Sequence, residues 1–257
     1  MKIGIHLSIE HTIDELPILC KKYELDCFQF FTKSPRRWSQ KLIDENTATA
    51  FKKNMQTQNI NPQNAFIHCS YLINPANPTQ KTYNELECEF ENASMLGVYN
   101  LVLHPGSCKS LDCLKNAANT IKQVLNQYPS ITLMLENTTR IGSSLEDLKI
   151  LKEEISENVF YCIDTCHLFV TGYILDVEII DKILNIDNIK LWHLNDSKTA
   201  FGSKLDRHEK LGKGLIGFEN IKKFLRLPKI QNASFILETP GTNATRSKEI
   251  QTLRKCL

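Results

Sequence analysis

Short apolar segments alternate with longer amphipathic segments along the chain. The apolar segments are rich in β-branched residues, a composition that favours buried strands. The eight predicted strands are Lys2–His6, Cys27–Phe30, Ala65–His68, Tyr99–His104, Ile131–Glu136, Val159–Asp164, Ile189–His193 and Ser234–Glu238.

The segments between these strands have helical spacing. One predicted helix has an apolar face that ends at a glycine, formed by Leu86, Phe90, Ala93, Leu96 and Gly97. Four more helices are predicted over Leu111–Tyr128, Leu145–Ile155, Val177–Ile186 and Phe218–Leu225. Ser144, with Asp147 three residues later, is a typical N-cap for the helix that begins at Leu145.

Strands that alternate with helices form parallel β-α units, and eight such units predict a closed barrel. The chain has 257 residues, and single TIM barrels typically have about 250. We therefore predict one α/β domain over residues 1–257, a TIM (β/α)8 barrel. An open, doubly wound sheet is the competing architecture, but no GxGxxG turn follows the first predicted strand.

After the first strand, which ends in His6, six more predicted strands end in a histidine or an acid, namely His68, His104, Glu136, Asp164, His193 and Glu238. In a TIM barrel the carboxyl ends of the strands converge on the face that carries the active site. A single polar residue at a strand end more often caps a helix or pairs with a neighbouring side chain than binds a metal. Several converging acids need nearby positive charge, however, and a metal is the simplest source because the lysines and arginines mostly lie elsewhere.

Two local motifs extend this set. Asp164 and His167 are one helical turn apart, and Asp206 and His208 are two residues apart, so an extended segment directs both to one side. Five histidines and four acids suffice for three metals if some carboxylates bridge. Imidazole and carboxylate suit zinc, with manganese as the alternative at one position. His6 lacks an acid companion in this pattern, which indicates a supporting or structural role.

Composition limits the remaining possibilities. Nine cysteines without a CxxC pair predict reduced thiols. Cys69, Cys162 and Cys166 lie beside the ligand motifs and could in principle bind zinc, but apolar packing is favoured for Cys162 and Cys166. The net charge of +2 is too small for a protein that coats nucleic acid, so any DNA contact must come from local clusters or bound metal. Neither a signal peptide at Met1–His6 nor a membrane span is recognisable, which predicts an intracellular protein.

Taken in order, the motifs resemble the endonuclease IV family of abasic-site endonucleases over essentially the whole chain. The stretches that carry this resemblance include Phe31-Thr32-Lys33, His104-Pro105-Gly106-Ser107, Glu136-Asn137-Thr138, Cys162–His167, His193–Lys198, Asp206-Arg207-His208 and Leu237–Pro240. Cys69 stands where an aspartate is common in the family, and the Ser8–His11 segment lacks the usual glycine pair.

The resemblance implies a TIM barrel with three zinc ions. The first zinc would be held by His68, His104 and Glu136, the second by Glu136, Asp164, His193 and Glu238, and the third by His167, Asp206 and His208. Glu136, Asp164 and Glu238 are the implied catalytic residues. In this scheme Glu136 bridges two metals, and Glu238 orients or deprotonates the attacking water.

The implied reaction is cleavage of duplex DNA on the 5′ side of an abasic site, which leaves a 3′-hydroxyl and a 5′-deoxyribose phosphate, by a protein expected to be a monomer. The resemblance assigns Arg36, Tyr71 and Leu72 to the gap that the missing base leaves. Contacts to the DNA backbone are expected from Lys33, Arg37, Lys198, Lys204, Arg207, Lys210 and Lys213. Gly212 and Gly214 would let backbone amides approach a phosphate, although a tight turn alone would also explain them.

Two other functions remain open. A sugar isomerase or epimerase on a similar barrel also collects acids and histidines, but it has no need for His68, His104 and the Asp206–His208 pair. A lesion-binding protein that does not cut DNA is the second alternative, and the complete ligand set argues against it.

Overall fold

Eight parallel strands close into a barrel in a computed structural model that describes residues 1–39 and 41–257. The barrel strands are β1 Lys2–His6, β2 Cys27–Phe30, β3 Ala65–His68, β4 Asn100–Leu103, β5 Thr132–Glu136, β6 Val159–Asp164, β7 Ile189–His193 and β10 Ser234–Leu237. Their order around the barrel is β1-β10-β7-β6-β5-β4-β3-β2. The predicted TIM barrel is confirmed. Five of the strands have the predicted bounds, and β4, β5 and β10 are shorter by one or two residues.

Helices connect the strands on the outside of the barrel. They are α1 Leu16–Lys22, α2 Glu45–Thr57, α3 Gln80–Leu96, α4 Cys113–Leu125, α5 Leu145–Ile155, α6 Thr165–Thr171, α7 Val177–Leu184, α8 Phe218–Leu225 and α9 Asn243–Arg254. Short 3-10 helices cover Ile13–Glu15, Pro62–Asn64, Ile186–Asn188 and Pro228–Ile230. The Ser144 side chain caps α5 by accepting from the Asp147 amide at 3.2 Å, and Gly97 ends α3 with φ 69°, as predicted.

The helices α2 and α9 were not predicted from the sequence, and each buries few apolar side chains. The inner face of α9 consists of Ile250 and Leu253 with the polar Asn243 and Ser247. In α2, Phe51 is the one large aromatic residue among the buried positions. The apolar spacing is therefore faint in both helices, which explains why the pattern did not reveal them. No helix in the described part of the chain combines the length and apolar character needed to cross a membrane.

A second pair of β-strands lies outside the barrel. The strands β8 Asp196–Ser197 and β9 His208–Glu209 form an antiparallel hairpin in the connection after β7. This hairpin brings the Asp206–His208 segment back to the carboxyl end of the barrel.

Cys108 and Cys113 form a disulfide across the loop that leads into α4, with Cα atoms 5.6 Å apart. The prediction that all cysteines are reduced is therefore wrong for this pair. The two residues are brought together by the turn before α4, which the cysteine spacing alone does not reveal. The other seven cysteines are free, and all of them except Cys256 are buried.

Gly4 lies in the barrel wall where β1 meets β2. A Cβ at this position would lie 1.8 Å from the Cys27 carbonyl oxygen, which belongs to the neighbouring strand and cannot move aside easily. Gly4→Ala should therefore lower the free energy of unfolding by about 3 kcal/mol or more, measured by urea denaturation.

Gly172 provides the control, because it has φ +99° and a Cβ added to it would meet nothing within 4 Å. Gly172→Ala should cost only the backbone strain, about 1–2 kcal/mol. A Gly4 variant as stable as the Gly172 variant would contradict the proposed clash.

Candidate metal centre

The polar side chains at the carboxyl end of the barrel follow a simple two-residue rule. One layer inside the barrel consists of Cys27, Phe66, Val102, Met134, Cys162, Leu191 and Ile236, with Gly4 at the same level of β1. Successive strand residues alternate between faces, so the residue two positions later also points inward, one level higher. These residues are His6, Gln29, His68, His104, Glu136, Asp164, His193 and Glu238. We call these eight side chains the mouth of the barrel.

All nine predicted metal ligands lie together at this mouth, in three adjoining groups. The first group is His68, His104 and Glu136, the second is Glu136, Asp164, His193 and Glu238, and the third is His167, Asp206 and His208. Within each group the potential ligand atoms lie within 4.8 Å of one another. Glu136 joins the first two groups: its Oε2 is 3.1 Å from His68 Nε2 and 3.0 Å from His104 Nε2, and its Oε1 is 3.2 Å from His193 Nδ1.

The third group is assembled from α6 and the β8–β9 hairpin. The Asp164 carboxylate caps α6 by accepting from the His167 amide at 2.8 Å, which fixes the start of the helix that carries His167. His167 Nε2 is 3.2 Å from Asp206 Oδ2. His208 Nε2 lies 3.3 Å from Asp206 Oδ1 and 3.5 Å from Asp164 Oδ2, so Asp164 connects the second and third groups.

Three of these histidines have one ring nitrogen bound to a carbonyl or amide oxygen. His68 Nδ1 donates to the Cys69 carbonyl at 2.8 Å, His167 Nδ1 to the Asn137 carbonyl at 2.8 Å, and His193 Nε2 to Gln29 Oε1 at 2.9 Å. When each ring is neutral, the other nitrogen directs a lone pair at the carboxylates. That contact is repulsive unless a cation lies between, and the same arrangement is usual behind metal-bound histidines.

The pKa values at the mouth shift in the direction that this crowding predicts. Burial alone would raise the pKa of Glu136, but the charges of His193 and His104 hold it well below its usual range. Burial would lower the pKa of His193, but Cys162, Glu238 and Glu136 raise it well above its usual range. The acids therefore draw positive charge to the mouth, where protons and divalent cations compete for the same nitrogen atoms.

In the third group, a buried nitrogen has no hydrogen-bond partner among the described residues. This atom is Nε2 of His208, which faces the carboxylates of Asp164 and Asp206. A divalent cation bound between these groups would satisfy it. The donor set, imidazole nitrogen with carboxylate oxygen, fits the predicted zinc and also manganese.

Gln29 and Asn195 are polar residues at the mouth that the sequence did not single out. Gln29 donates to Glu238 Oε1 at 2.7 Å while it accepts from His193. Asn195 donates to Asp164 Oδ2 at 2.6 Å and accepts from the Glu238 amide at 2.9 Å. Both residues therefore orient ligand candidates. The two-residue rule would have found Gln29, whereas no pattern marks Asn195.

His6 does have an acid companion, contrary to the sequence interpretation. Its Nδ1 lies 3.0 Å from Glu238 Oε1, a residue more than 200 positions away in the chain. The companion became visible only when the barrel closed through the pairing of β1 with β10. Cys162 and Cys166 are fully buried, as expected for residues that pack in the interior, and Cys69 is 1% exposed.

Among the predicted DNA contacts, Tyr71 lies beside the mouth and Lys33 is engaged elsewhere. The Tyr71 ring lies 5.2 Å from that of His68 and 5.4 Å from that of His104, and 45% of the residue is exposed. Lys33 is instead half-buried and paired with Glu85 at 2.9 Å and Glu89 at 3.7 Å. Exposed positions are held by Arg36, Arg37, Lys198, Lys204, Arg207 and Lys213, whereas Leu72 and Lys210 are half-buried.

The Gly212 and Gly214 amides already have a partner within the chain. They donate to Asp196 Oδ2 at 2.9 Å and 3.1 Å. Asp196 Oδ1 accepts in turn from the Ser197 and Ile216 amides, at 2.8 Å and 2.9 Å. These amides are therefore engaged in anchoring their own loop, and they do not point to a phosphate as the sequence suggested.

Comparison with known proteins agrees with the fold. A family profile described as "Xylose isomerase-like TIM barrel" matches residues 18–256. The "Probable endonuclease 4" of Thermosipho africanus is 36% identical over 281 aligned residues, which cover 100% of this chain and 99% of the relative.

Solved structures separate the family from the wider fold. Endonuclease IV from Thermus thermophilus has a TM-score of 0.88 and 27% identity, and the match covers 100% of this chain and 98% of that one. A D-allulose 3-epimerase from Methylomonas has a TM-score of 0.68 and 15% identity over 98% of this chain and 90% of the epimerase, which shows a common fold alone. Full-length identity above 30% to an endonuclease 4 relative decides between them: the chain belongs to the endonuclease IV family.

Proposed function

We propose that this chain hydrolyses the phosphodiester bond on the 5′ side of an abasic site in duplex DNA, with three zinc ions as cofactors. The observation that carries the proposal is the convergence of nine histidine and acid side chains in three adjoining groups. A sugar isomerase would leave the first and third groups without a purpose. A lesion-binding protein that does not cut would have no use for a complete ligand set.

Electrostatics explains why DNA binding and metal binding belong together here. The carboxylates of Glu136, Asp164, Asp206 and Glu238 would repel a DNA phosphate. Three divalent ions would add about +6 against about −4 from these acids, which turns the mouth into an anion-binding site. When bound, zinc also supplies a water molecule whose pKa is lowered to about 7 and Lewis-acid stabilisation of the phosphoryl oxygens.

The chain's own residues would hold the reacting groups in place. Glu136 is positioned by three histidines to bridge the first two groups. Glu238 is oriented by His6 and Gln29, which suits it to align the attacking water or to accept its proton. Asp164, fixed by Asn195, links the second and third groups. The products would be a 3′-hydroxyl and a 5′-deoxyribose phosphate.

Lesion selectivity would follow from the low cost of extruding a nucleotide that has no base. Tyr71 stands half-exposed beside the first group, so its ring could fill the space left by the missing base. Leu72 follows Tyr71 in the chain, and Arg36 follows Pro35, whose carbonyl accepts from Ser70 Oγ at 3.1 Å. Lys198 and Arg207 lie beside the β8–β9 hairpin, where Lys198 N donates to the Arg207 carbonyl, and they are suited to hold the DNA backbone.

The zinc-loaded protein should cut a duplex with one synthetic abasic site and leave the intact duplex uncut. A chelator should abolish cutting, and added zinc should restore it. The nicked strand should prime DNA polymerase without further processing, because its end is a 3′-hydroxyl. Metal analysis of the same sample distinguishes zinc from manganese. Turnover of keto-sugars would indicate the isomerase instead, and tight binding without scission at saturating zinc would indicate the lesion-binding protein.

Glu136→Gln should reduce cutting more than about 100-fold, because the negative charge that bridges the first two groups is removed. Loss of a residue that only hydrogen-bonds to a metal ligand typically costs about 10- to 100-fold. The circular dichroism spectrum should stay that of the folded barrel. Glu154→Gln, an exposed position on α5, is the matched control and should cut normally. Near-normal turnover of the Glu136 variant would contradict the proposed bridge.

Gln29→Leu should weaken zinc binding about 10- to 100-fold, because it removes the partners of both His193 and Glu238. The measurement is zinc affinity in a competitive chelator titration. Asn92→Leu serves as the control, since it also removes a buried amide, one that accepts from the Ile43 backbone away from the mouth. That variant should lose stability but keep its zinc affinity, and an equal loss in both would show that Gln29 acts through the fold alone.

A further inference from the structure

Arg246, on α9, occupies a fixed position at the edge of the mouth. Its Nε donates to the Thr239 carbonyl at 2.6 Å, and its Nη1 donates to the His6 carbonyl at 3.0 Å. These carbonyls lie at the carboxyl ends of the β10 and β1 segments, which are neighbours in the barrel. The guanidinium is therefore held by the backbone, whereas most arginine side chains move freely.

Within the described part of the chain, this cation has no carboxylate partner. Every ion pair within 4.0 Å among residues 1–39 and 41–257 involves other cations. The carboxylates whose charges act on the pKa of Arg246 are those of Glu238 and Glu249. Glu238 is engaged by His6 and Gln29, and Glu249 accepts from the Leu211 amide at 2.6 Å and from Thr239 Oγ1 at 2.9 Å. A half-buried charge without a counterion is costly, which indicates that an external anion completes the site.

The space in front of Arg246 can accept such an anion. A cavity of about 460 Å3 is lined by His6, Phe31, Tyr71, His208, Glu238 and Arg246. Tyr71, His208 and Glu238 place this cavity directly beside the three ligand groups. The wall of this cavity includes His6, whose Nε2 is buried without a hydrogen-bond partner among the described residues. Arg246 Nη2 likewise donates to no group in the described part of the chain.

We infer that Arg246 binds a backbone phosphate of the DNA strand, one next to the phosphate that is cut. Guanidinium forks match phosphate oxygens well, and a fork already fixed by two carbonyls loses little entropy on binding. The inference rests on the proposed function, since it takes DNA as the source of the phosphate. The competing explanation is that Arg246 only ties β10 to β1 as a structural clamp.

Binding measurements separate these two roles. In the full-length Glu136→Gln background, which is expected to bind without cutting, Arg246→Met should weaken binding of an abasic duplex about 10-fold or more, measured by fluorescence anisotropy. The slope of log Kd against log salt concentration should fall by about 0.9, the value for one phosphate contact. Lys248→Met removes an exposed charge from the same helix and should leave affinity within about 2-fold.

A second measurement locates the phosphate. Duplexes with single uncharged methylphosphonate linkages around the abasic site should include one position that weakens binding by the Arg246 protein but not by the Arg246→Met protein. If every position affects both proteins equally, Arg246 is only a clamp and the inference is wrong. Should Arg246→Met lower the melting temperature, Arg246→Lys replaces it. This variant keeps the charge but loses the fork, and it must show a smaller version of the same position-specific difference.

Failure of this inference is distinguishable from failure of the proposed function. Wild-type protein that binds an abasic duplex but does not cut it at saturating zinc overturns the proposed reaction, while the methylphosphonate comparison still tests the phosphate contact. Wild-type protein that cuts normally, with no difference at any linkage, overturns the contact alone.

Discussion

Mutual repulsion among four buried or half-buried carboxylates is the constraint around which this end of the barrel is built. Ligand atoms of Glu136, Asp164 and Glu238 lie within 4.8 Å of one another, and Asp206 is linked to Asp164 through His208. Burying such charges is unfavourable unless positive charge lies between them. Imidazole rings surround the acids for this reason, and amide and carbonyl groups hold the rings in turn. The geometry that suits cations is thus a condition for a stable mouth as well as for chemistry. Binding a cation and keeping this end of the fold intact are parts of one equilibrium.

Much of this arrangement could be predicted from sequence because one short-range rule, the alternation of side chains along a strand, determines it. Strand alternation places Met134 inside the barrel and Glu136 above it, and the same step leads from Leu191 to His193. Acids and histidines at strand ends therefore predict most of the side chains of the mouth. They miss Gln29, although Gln29 follows Cys27 by the same step, because a neutral amide is not among these residue types. Strand alternation thus accounts for all eight side chains of the mouth, but a neutral amide does not by itself indicate a metal site.

The remaining features depend on contacts between distant parts of the chain. Lys33 looks like a surface cation in its own segment, but Glu85 and Glu89 reach it from α3 and remove it from the set of free charges. His6 gains Glu238 only through closure of the barrel, and Cys108 meets Cys113 only through the turn before α4. The helix α9, which carries Arg246, is nearly polar throughout and gives little apolar signal. Each of these partners is set by tertiary packing, which one-dimensional spacing does not encode.

The anchoring of the Gly212 loop has a mechanical consequence. Asp196 directly follows Asn195, and its carboxylate gathers the amides of Gly212, Gly214 and Ile216 at the back of the segment that carries Asp206 and His208. A Cβ at Gly214 would lie 2.4 Å from the Ser197 carbonyl oxygen, so the loop is pressed against the strand as well as bonded to it. In the proposed reaction, a wall braced in this way would yield little to the duplex. The bending and unstacking needed for a close fit would then fall on the nucleic acid, and a helix already weakened by a lost base is the one that bends most cheaply.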